Sequence, residues 1–304
     1  MITLASDFGT PYPAAMKGVI LGRTAAQLVD VAHDFPRQDV RTAAFWLREV
    51  LPYFPPATHL VVVDPGVGTD RDAIVVRAGE HALVGPDNGV LVPASRRLAD
   101  DRIETYVIDE SALESVVPAH ARSSDENERG RAKIDRKNER EKVGVDRGNE
   151  RERIDDSDGP VSNTFHGRDV FAPAAADVHE VGVDSLGSLS FLESTDEFVD
   201  LRLPEATVDD DRASGAVLVV DGFGNVVTNV PGDFLENRSR LLANGESVPV
   251  GQTFAAVPVG DRLATVGSHG YVELDVNRGR GDDAFGLEVG DGVVLESADS
   301  YPDR

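Results

Sequence analysis

The stretch VVVDPGVGTDR at residues 61–71 runs an apolar segment of strand-like composition into Asp64 and a Gly/Pro-rich turn that closes on Arg71. Functional groups of α/β sheets collect at strand ends, so a carboxylate there, followed by a guanidinium, reads as a site. The segment is not a nucleotide-phosphate loop, because it lacks the Gly-Lys-Ser/Thr ending and the Gly-x-Gly-x-x-Gly spacing. Taken alone, it fits a tight turn with a surface Asp–Arg pair equally well.

The same pattern recurs outward from it. LASDFG (4–9) places Asp7 after an apolar run, and LVGPDNGVL (83–91) sets Asp87 and Asn88 in a turn. TFHGRDVFAPAAA (164–176) carries His166, Arg168 and Asp169, and VVDGFGNVVTNV (219–230) leads a strand into Asp221 and Gly-Phe-Gly-Asn. Asp, Asn and Gly are ordinary turn residues, so each segment alone could be turn chemistry. Their recurrence at several strand ends favours a site.

In this order the segments resemble the S-adenosyl-L-methionine hydroxide adenosyltransferases, the hydrolases related to the fluorinating and chlorinating enzymes that use the same substrate. The resemblance covers residues 2–118, 160–192 and 214–296, and its most specific parts are Asp-Pro-Gly-Val-Gly-Thr and Phe-Gly-Asn-x-x-Thr-Asn. It implies an N-terminal α/β domain with a central mostly parallel sheet, and a smaller all-β, barrel-like C-terminal domain. It also implies a homotrimer with substrate between neighbouring subunits, and no cofactor beyond S-adenosyl-L-methionine (SAM), which is the substrate.

SAM carries a sulfonium, so attack at ribose C5′ expels neutral methionine and needs no general acid. The enzyme must supply an oriented, partly deprotonated water in line with the carbon–sulfur bond. The resemblance assigns that task to Asp64, Arg71 and His166. Arg71 favours hydroxide character, Asp64 holds the guanidinium, and His166 orients the water or accepts a proton. It further assigns Asp7 to the ribose hydroxyls, Asp221 to the methionine ammonium, and Asn225 with Phe223 to adenine. Ser268, His269 and Glu273, in VGSHGYVELDVNRG (266–279), fall where the C-terminal domain covers substrate. Halogenating relatives lack the Asp/Arg/His trio. Since Asp64, Arg71 and His166 are all present here, hydrolysis is favoured over halide transfer from SAM, which stays as the alternative activity, and a non-catalytic adenosine- or SAM-binding protein is another. A metal hydrolase built on His33, Asp34, Asp64 and Asp87 matches no recognised ligand spacing.

Composition narrows the field. The 304-residue chain is long enough for two domains, and without cysteine it has no disulfide, thiolate metal site or cysteine nucleophile. No apolar run reaches membrane-spanning length and no signal peptide is evident, so a cytoplasmic protein without a membrane partner is expected.

The strand-like runs at 2–5, 60–63, 73–77, 82–84 and 105–108 alternate with helical patterns, which gives the α/β sheet. Helices are expected over about 38–54, from near Met16 to Leu28, and over Arg168–Val178. The expected boundaries are an N-terminal domain over 1–195, a linker over 196–212 and a β domain over 213–304. Residues 122–159 are almost wholly charged, polar or glycine, so a disordered surface insertion is expected there.

The net charge is −24, from 54 acidic against 30 basic side chains. Residues 120–160 hold 12 acids and 11 bases, so −23 belongs to the rest. Nucleic acid is a poor partner for such a chain, because phosphate binding needs clustered Lys and Arg. Outside that stretch Lys17 is the only lysine. A carboxylate-rich body with one lysine suggests a halophile, and with the resemblance a haloarchaeal source. Carboxylate repulsion acts over about 30 Å at 0.01 M salt and only about 3 Å at 1 M. The melting temperature should therefore climb steeply as KCl rises into the molar range; a scanning-calorimetry series showing no dependence on salt would overturn the halophile reading.

Overall fold

The computed structural model describes residues 1–113 and 164–298. The expected insertion at 122–159 lies outside the described residues. Two compact units are present. The first comprises Met1–Asp34, Pro56–Asp87 and Glu104–Glu197; the second comprises Phe35–Pro55, Asn88–Ile103 and Phe198–Arg304. The longer helices among the described residues are α1 (Tyr12–Leu21), α2 (Val40–Val50), α3 (Val92–Ala99) and α4 (Ala172–Val181).

The first unit is a seven-stranded sheet. Its strands are β1 (Ile2–Ser6), β2 (Leu28–Ala32), β3 (Thr58–Val62), β4 (Ala73–Ala78), β5 (His81–Pro86), β6 (Ile103–Ile108) and β7 (Leu192–Thr195), in the order β2-β1-β3-β5-β4-β6-β7. β1 runs parallel to β2 and β3, and β3 parallel to β5, whereas β4–β5 and β6–β7 are antiparallel. Every residue of β1 and β3 is buried, as befits parallel strands covered on both faces, and the polar members Thr3 and His59 are hydrogen-bonded to each other (2.7 Å). β4 and β5 are joined through Gly79–Glu80, where Gly79 takes φ 61°, a left-handed conformation suited to glycine in a tight hairpin. Met16 and Ile20 of α1 and Ala174, Ala175 and Val178 of α4 pack with Leu4, Leu60, Val75 and Val84 of the sheet.

The elements differ in detail from the sequence expectation. α1 ends at Leu21 instead of reaching Leu28. Gly22 follows, Thr24 turns the chain by accepting from the Ala26 amide through Oγ1 (3.1 Å), and Leu28 opens β2. α2 starts at Asp39, whose carboxylate accepts from the Thr42 amide (3.0 Å) and hydroxyl (2.6 Å), and continues as a short 3₁₀ turn over Leu51–Tyr53. The third expected helix begins as a π-helical turn, Gly167–Phe171, before α4. β2 and β7 had no counterpart in the strand pattern.

The second unit is an eight-stranded antiparallel sheet. It contains β8 (Thr207–Val208), β9 (Arg212–Val220), β10 (Val226–Pro231), β11 (Arg240–Ala243), β12 (Glu246–Pro249), β13 (Arg262–Val266), β14 (Tyr271–Val276) and β15 (Gly292–Ser297). The order is β12-β11-β15-β9-β10-β14-β13, with β8 on β9. A bridge between Val250 and Ala264, with the Gly251 amide donating to the Ala264 carbonyl (3.0 Å), brings the two ends of the order together, so the sheet curls into a nearly closed barrel. Ala213, Val217, Val230, Leu241, Val272, Leu274, Val293 and Leu295 fill it. α2 belongs to this unit: Phe45, wholly buried, packs on Leu218, Val219 and Val227.

Because α2 carries Phe45 into that contact, its cap bears on the stability of the second unit. Asp39→Ala should cost about 1 kcal/mol in urea unfolding, the usual value for losing an N-cap carboxylate. An unchanged midpoint would show that the helix start is held by packing alone.

Candidate functional site

In the first unit, β1 and β3 run parallel in register, with Ser6 opposite Val62. Asp7 and Asp64, one and two residues beyond these ends, therefore emerge at the same edge of the sheet. Arg71 donates from Nε to Asp64 Oδ1 (2.9 Å) and from Nη2 to Oδ2 (2.5 Å), a bidentate pair. The Arg71 side chain is 10% exposed and the Asp64 side chain 3%. The turn is shaped for this contact: Oδ1 also accepts from the Gly66 amide (3.2 Å), and a Cβ at Gly66 would lie 3.1 Å from Arg71 Cγ. The guanidinium sits over the Phe171 ring, 5.0 Å from its centre.

His166, buried at the start of the π-helical turn, has Nδ1 3.1 Å from Arg71 Nη2. A guanidinium can only donate, so Nδ1 is the acceptor and the ring proton lies on Nε2. Glu110 Oε1 is 4.0 Å from the same nitrogen, beyond hydrogen-bond reach. Asp7 is buried, and the next residue, Phe8, joins Tyr12 and Phe165 in an edge-to-face aromatic cluster. Of the remaining residues singled out, His33 is bound by Ser6 Oγ at Nδ1 (2.8 Å) and by Asp30 at Nε2 (3.0 Å). Among the described residues no group of three or more His, Asp or Glu is arranged to hold a metal.

The second unit carries a cleft of about 850 Å³. Asp221, Phe223, Asn225, Ser268, His269 and Glu273 all line it, so the substrate-binding residues expected in this part of the chain come together. Asp221 is held by its own turn: Oδ1 accepts from the Phe223 and Asn225 amides (2.8 and 2.9 Å) and Oδ2 from Asn225 Nδ2 (2.9 Å). Phe223 projects into solvent, 81% exposed. His269 meets the rings of Phe45 and Trp46 edge-on at 5.8 and 5.3 Å. Trp46, Phe254, Arg278 and Arg280 also line the cleft. Sequence reading did not single these out; only the aromatic content of the α2 pattern hinted at Trp46.

Glu273 and Asp275 alternate with the core residues Val272 and Leu274 on β14, so they share the opposite face. Asp275 is wholly buried, and neither carboxyl oxygen has a hydrogen-bond partner among the described residues. Burial, then the neighbouring Glu273 and Asp221, push its carboxyl up to about 8. Burial, then Asp221, push Glu273 up to about 7. The period-2 placement of two acids in YVELDV was the available signal for Asp275, and it went unread because a charge in a strand usually marks a solvated face.

A mixed α/β sheet with a charged trio at its strand ends, and a barrel-like β unit bearing an acidic, aromatic-rimmed cleft, together define a two-domain enzyme. The comparisons with known proteins give its family. Residues 2–144 match the SAM hydroxide adenosyltransferase N-terminal domain and residues 215–294 the C-terminal domain, and the chain belongs to that family. It is 35% identical to the (R)-S-adenosyl-L-methionine hydrolase of Salinispora tropica, over 95% of each chain. It is 36% identical to the enzyme of the same name from Thermus thermophilus, over 95% of this chain and 97% of the relative. A crystal structure of an uncharacterized conserved protein from Thermotoga maritima superposes with a TM-score of 0.71 at 27% identity, covering 97% of this chain and 99% of the other.

The raised carboxyls have a consequence for stability. Asp275 binds its proton more tightly in the folded chain (about 8) than at its ordinary value of 3.8. Between those values the folded state holds more protons than the unfolded one, so stability falls as pH rises through that window. Asp275→Asn keeps the neutral shape, and should stabilise the protein at pH 8.5 by several kcal/mol, an advantage that shrinks as pH falls and is nearly gone only by about pH 4. Melting curves of both proteins at the two pH values test this. A variant equally destabilised at both would show that burial of Asp275 is not electrostatically costly.

Proposed function

We propose that the chain hydrolyses SAM to adenosine and L-methionine by attack of a positioned water on ribose C5′. The observation that carries this reading is the closed trio. One guanidinium is held bidentately by Asp64 and donates to His166 Nδ1, leaving the imidazole Nε2–H as a fixed donor. The water oxygen bonds to C5′ as the C5′–sulfur bond breaks, and the sulfur keeps the electron pair to become the thioether of methionine. The water gives up one proton. Asp64 is the acceptor within the trio, since its oxygens have lone pairs beyond those bound by Arg71. Arg71 and the His166 Nε2–H stabilise the hydroxide character that develops.

The family membership and the hydrolase names of relatives at 35 and 36% identity support this activity. Substrate contacts follow the same reading: Asp7 takes the ribose hydroxyls, Phe223 and Asn225 take adenine, and Asp221, Ser268, His269 and Glu273 take the amino-acid end. The reading includes a homotrimer with substrate between neighbouring subunits, a cytoplasmic, salt-adapted setting, and no cofactor beyond the substrate. Halide transfer is disfavoured because Asp64 presents an acceptor beside the attacking position, which a water satisfies by donating a proton and a halide, itself only an acceptor, leaves unpaired.

Two measurements test this. Incubation with SAM in molar KCl, resolved by chromatography, should give adenosine; 5′-chloro-5′-deoxyadenosine as the main product would overturn the hydrolase reading. Arg71→Lys keeps the charge and loses the fork, so kcat should drop about 100-fold or more while KM moves less than about threefold. A raised KM with unchanged kcat would place Arg71 in substrate binding instead.

A further inference from the structure

The cleft of the second unit is walled by Asp221 and Glu273, and Asp275 stands two residues along the same face of β14. The charged groups around Asp275 are few. Asp221 lies in the turn after β9, pinned by the Phe223 and Asn225 amides and the Asn225 side chain. Arg280, beyond β14, is taken up by Asp282, with Nε–Oδ1 at 3.0 Å and Nη2–Oδ2 at 2.6 Å, and Asp283 is 3.8 Å away. Arg278 lines the cleft wall. On β13 the residues opposite Asp275 and Glu273 are Leu263 and Thr265, both uncharged. Neither Glu273 nor Asp275 has an ion-pair partner among the described residues, and both oxygens of Asp275 are unpartnered despite complete burial.

A wholly buried carboxyl without a donor is an incomplete arrangement, because removal from water costs free energy that only a proton or a cation can offset. Glu273 reaches the cleft and Asp275 stands behind it, so a positive charge arriving beside Glu273 is felt by both. We propose that Asp275 is a positioning residue for the cationic end of the ligand: with Glu273 it holds a proton in the empty cleft, and that proton leaves to solvent when the ligand's ammonium group binds. The inference rests on the hydrolase reading for the identity of the ligand, and the acidity of the site supports it. Burial and repulsion from Asp221, joined for Asp275 by repulsion from Glu273, hold Glu273 near 7 and Asp275 near 8, so the two together keep about one proton slightly above neutral pH until a cation arrives. Because the cation favours the ionised pair, ligand affinity rises with pH through that range. With a merely structural Asp275 only Glu273 contributes, so the dependence is weaker and is the same in the wild type and in Asp275→Asn.

S-Adenosyl-L-homocysteine separates the two readings, since it keeps the ammonium but has no sulfonium leaving group. Its binding is followed by calorimetry at pH 7.5 in buffers of different ionisation enthalpy, which reads protons released. The wild-type protein should release roughly one proton per site with this ligand, and close to none with 5′-methylthioadenosine, which lacks the amino-acid end. Asp275→Asn should release less than about a third as much, and KM for SAM in the wild type should fall about threefold to tenfold between pH 6.5 and 8.5, with a flattened profile in the variant. Equal release by the two ligands, equal release by the two proteins, or a wild-type KM flat across that range would overturn the inference. The wild-type ligand comparison stands even where Asp275→Asn fails to fold. The binding arm needs no turnover, so proton release confined to S-adenosyl-L-homocysteine in a protein that forms no adenosine would uphold this inference and end the hydrolase reading.

Discussion

The first unit is organised around one ion pair, Asp64 with Arg71. Both side chains are almost out of water, and an uncompensated charge in either position would be strongly destabilising. Fork-to-fork geometry fixes the plane of the guanidinium, and from that plane the neighbouring elements follow. Gly66 has no side chain because the stem of Arg71 occupies the space, and Phe171 lies beneath the cation. His166 meets the remaining reach of Nη2. A strand end, a turn and a π-helical turn thus converge on one side chain, and each was legible in the sequence only as a separate polar break after an apolar run.

The second unit poses the opposite electrostatic problem. Among the described residues its acids on β14 have no ion-pair partner, and Arg280 of the cleft wall is occupied by Asp282. Where the trio is complete within the chain, the cleft is complete only with a proton or a ligand. This contrast matches the division of labour in the proposed reaction. Water activation needs an arrangement fixed before substrate arrives, because reorganisation during the chemical step raises the barrier. Recognition of a cationic substrate gains from a site that is unfavourable while empty, since binding then relieves repulsion.

Sequence patterns revealed most of the first sheet because its central strands are rich in apolar residues, as in residues 2–5 and 60–63. β2 escaped notice because Asp30 interrupts LVDVA and the helical periodicity before it hides the turn at Gly22–Thr24. α2 was visible as a helix, but its partners Leu218, Val219 and Val227 lie far along the chain, and periodicity carries no information about which sheet an apolar face will cover. The candidate site residues were reached through family resemblance and strand-end position together. Asp275 was not among them, because its alternation with Glu273 in YVELDV reads equally well as a solvated strand face. Its burial depends on β13, on β10 and on the turn after β14, which only the folded chain brings together.

The acidic composition and the site place opposite demands on the solvent. A body carrying −23 outside residues 120–160 is stabilised by salt that screens its carboxylates. The same salt weakens exposed pairs such as Arg262–Glu246 and Arg77–Asp184, whose acids are 61% and 87% exposed. Arg71 and Asp64 escape this conflict. They are in direct contact and little exposed, so mobile ions cannot come between them, and the pair keeps its geometry at ionic strengths that dissolve the surface network. The use of arginine here fits that demand: a guanidinium is more weakly hydrated than an ammonium and binds a carboxylate through two parallel bonds. A lysine in its place would make one contact, leave His166 Nδ1 without its donor and surrender the fixed plane on which the trio depends.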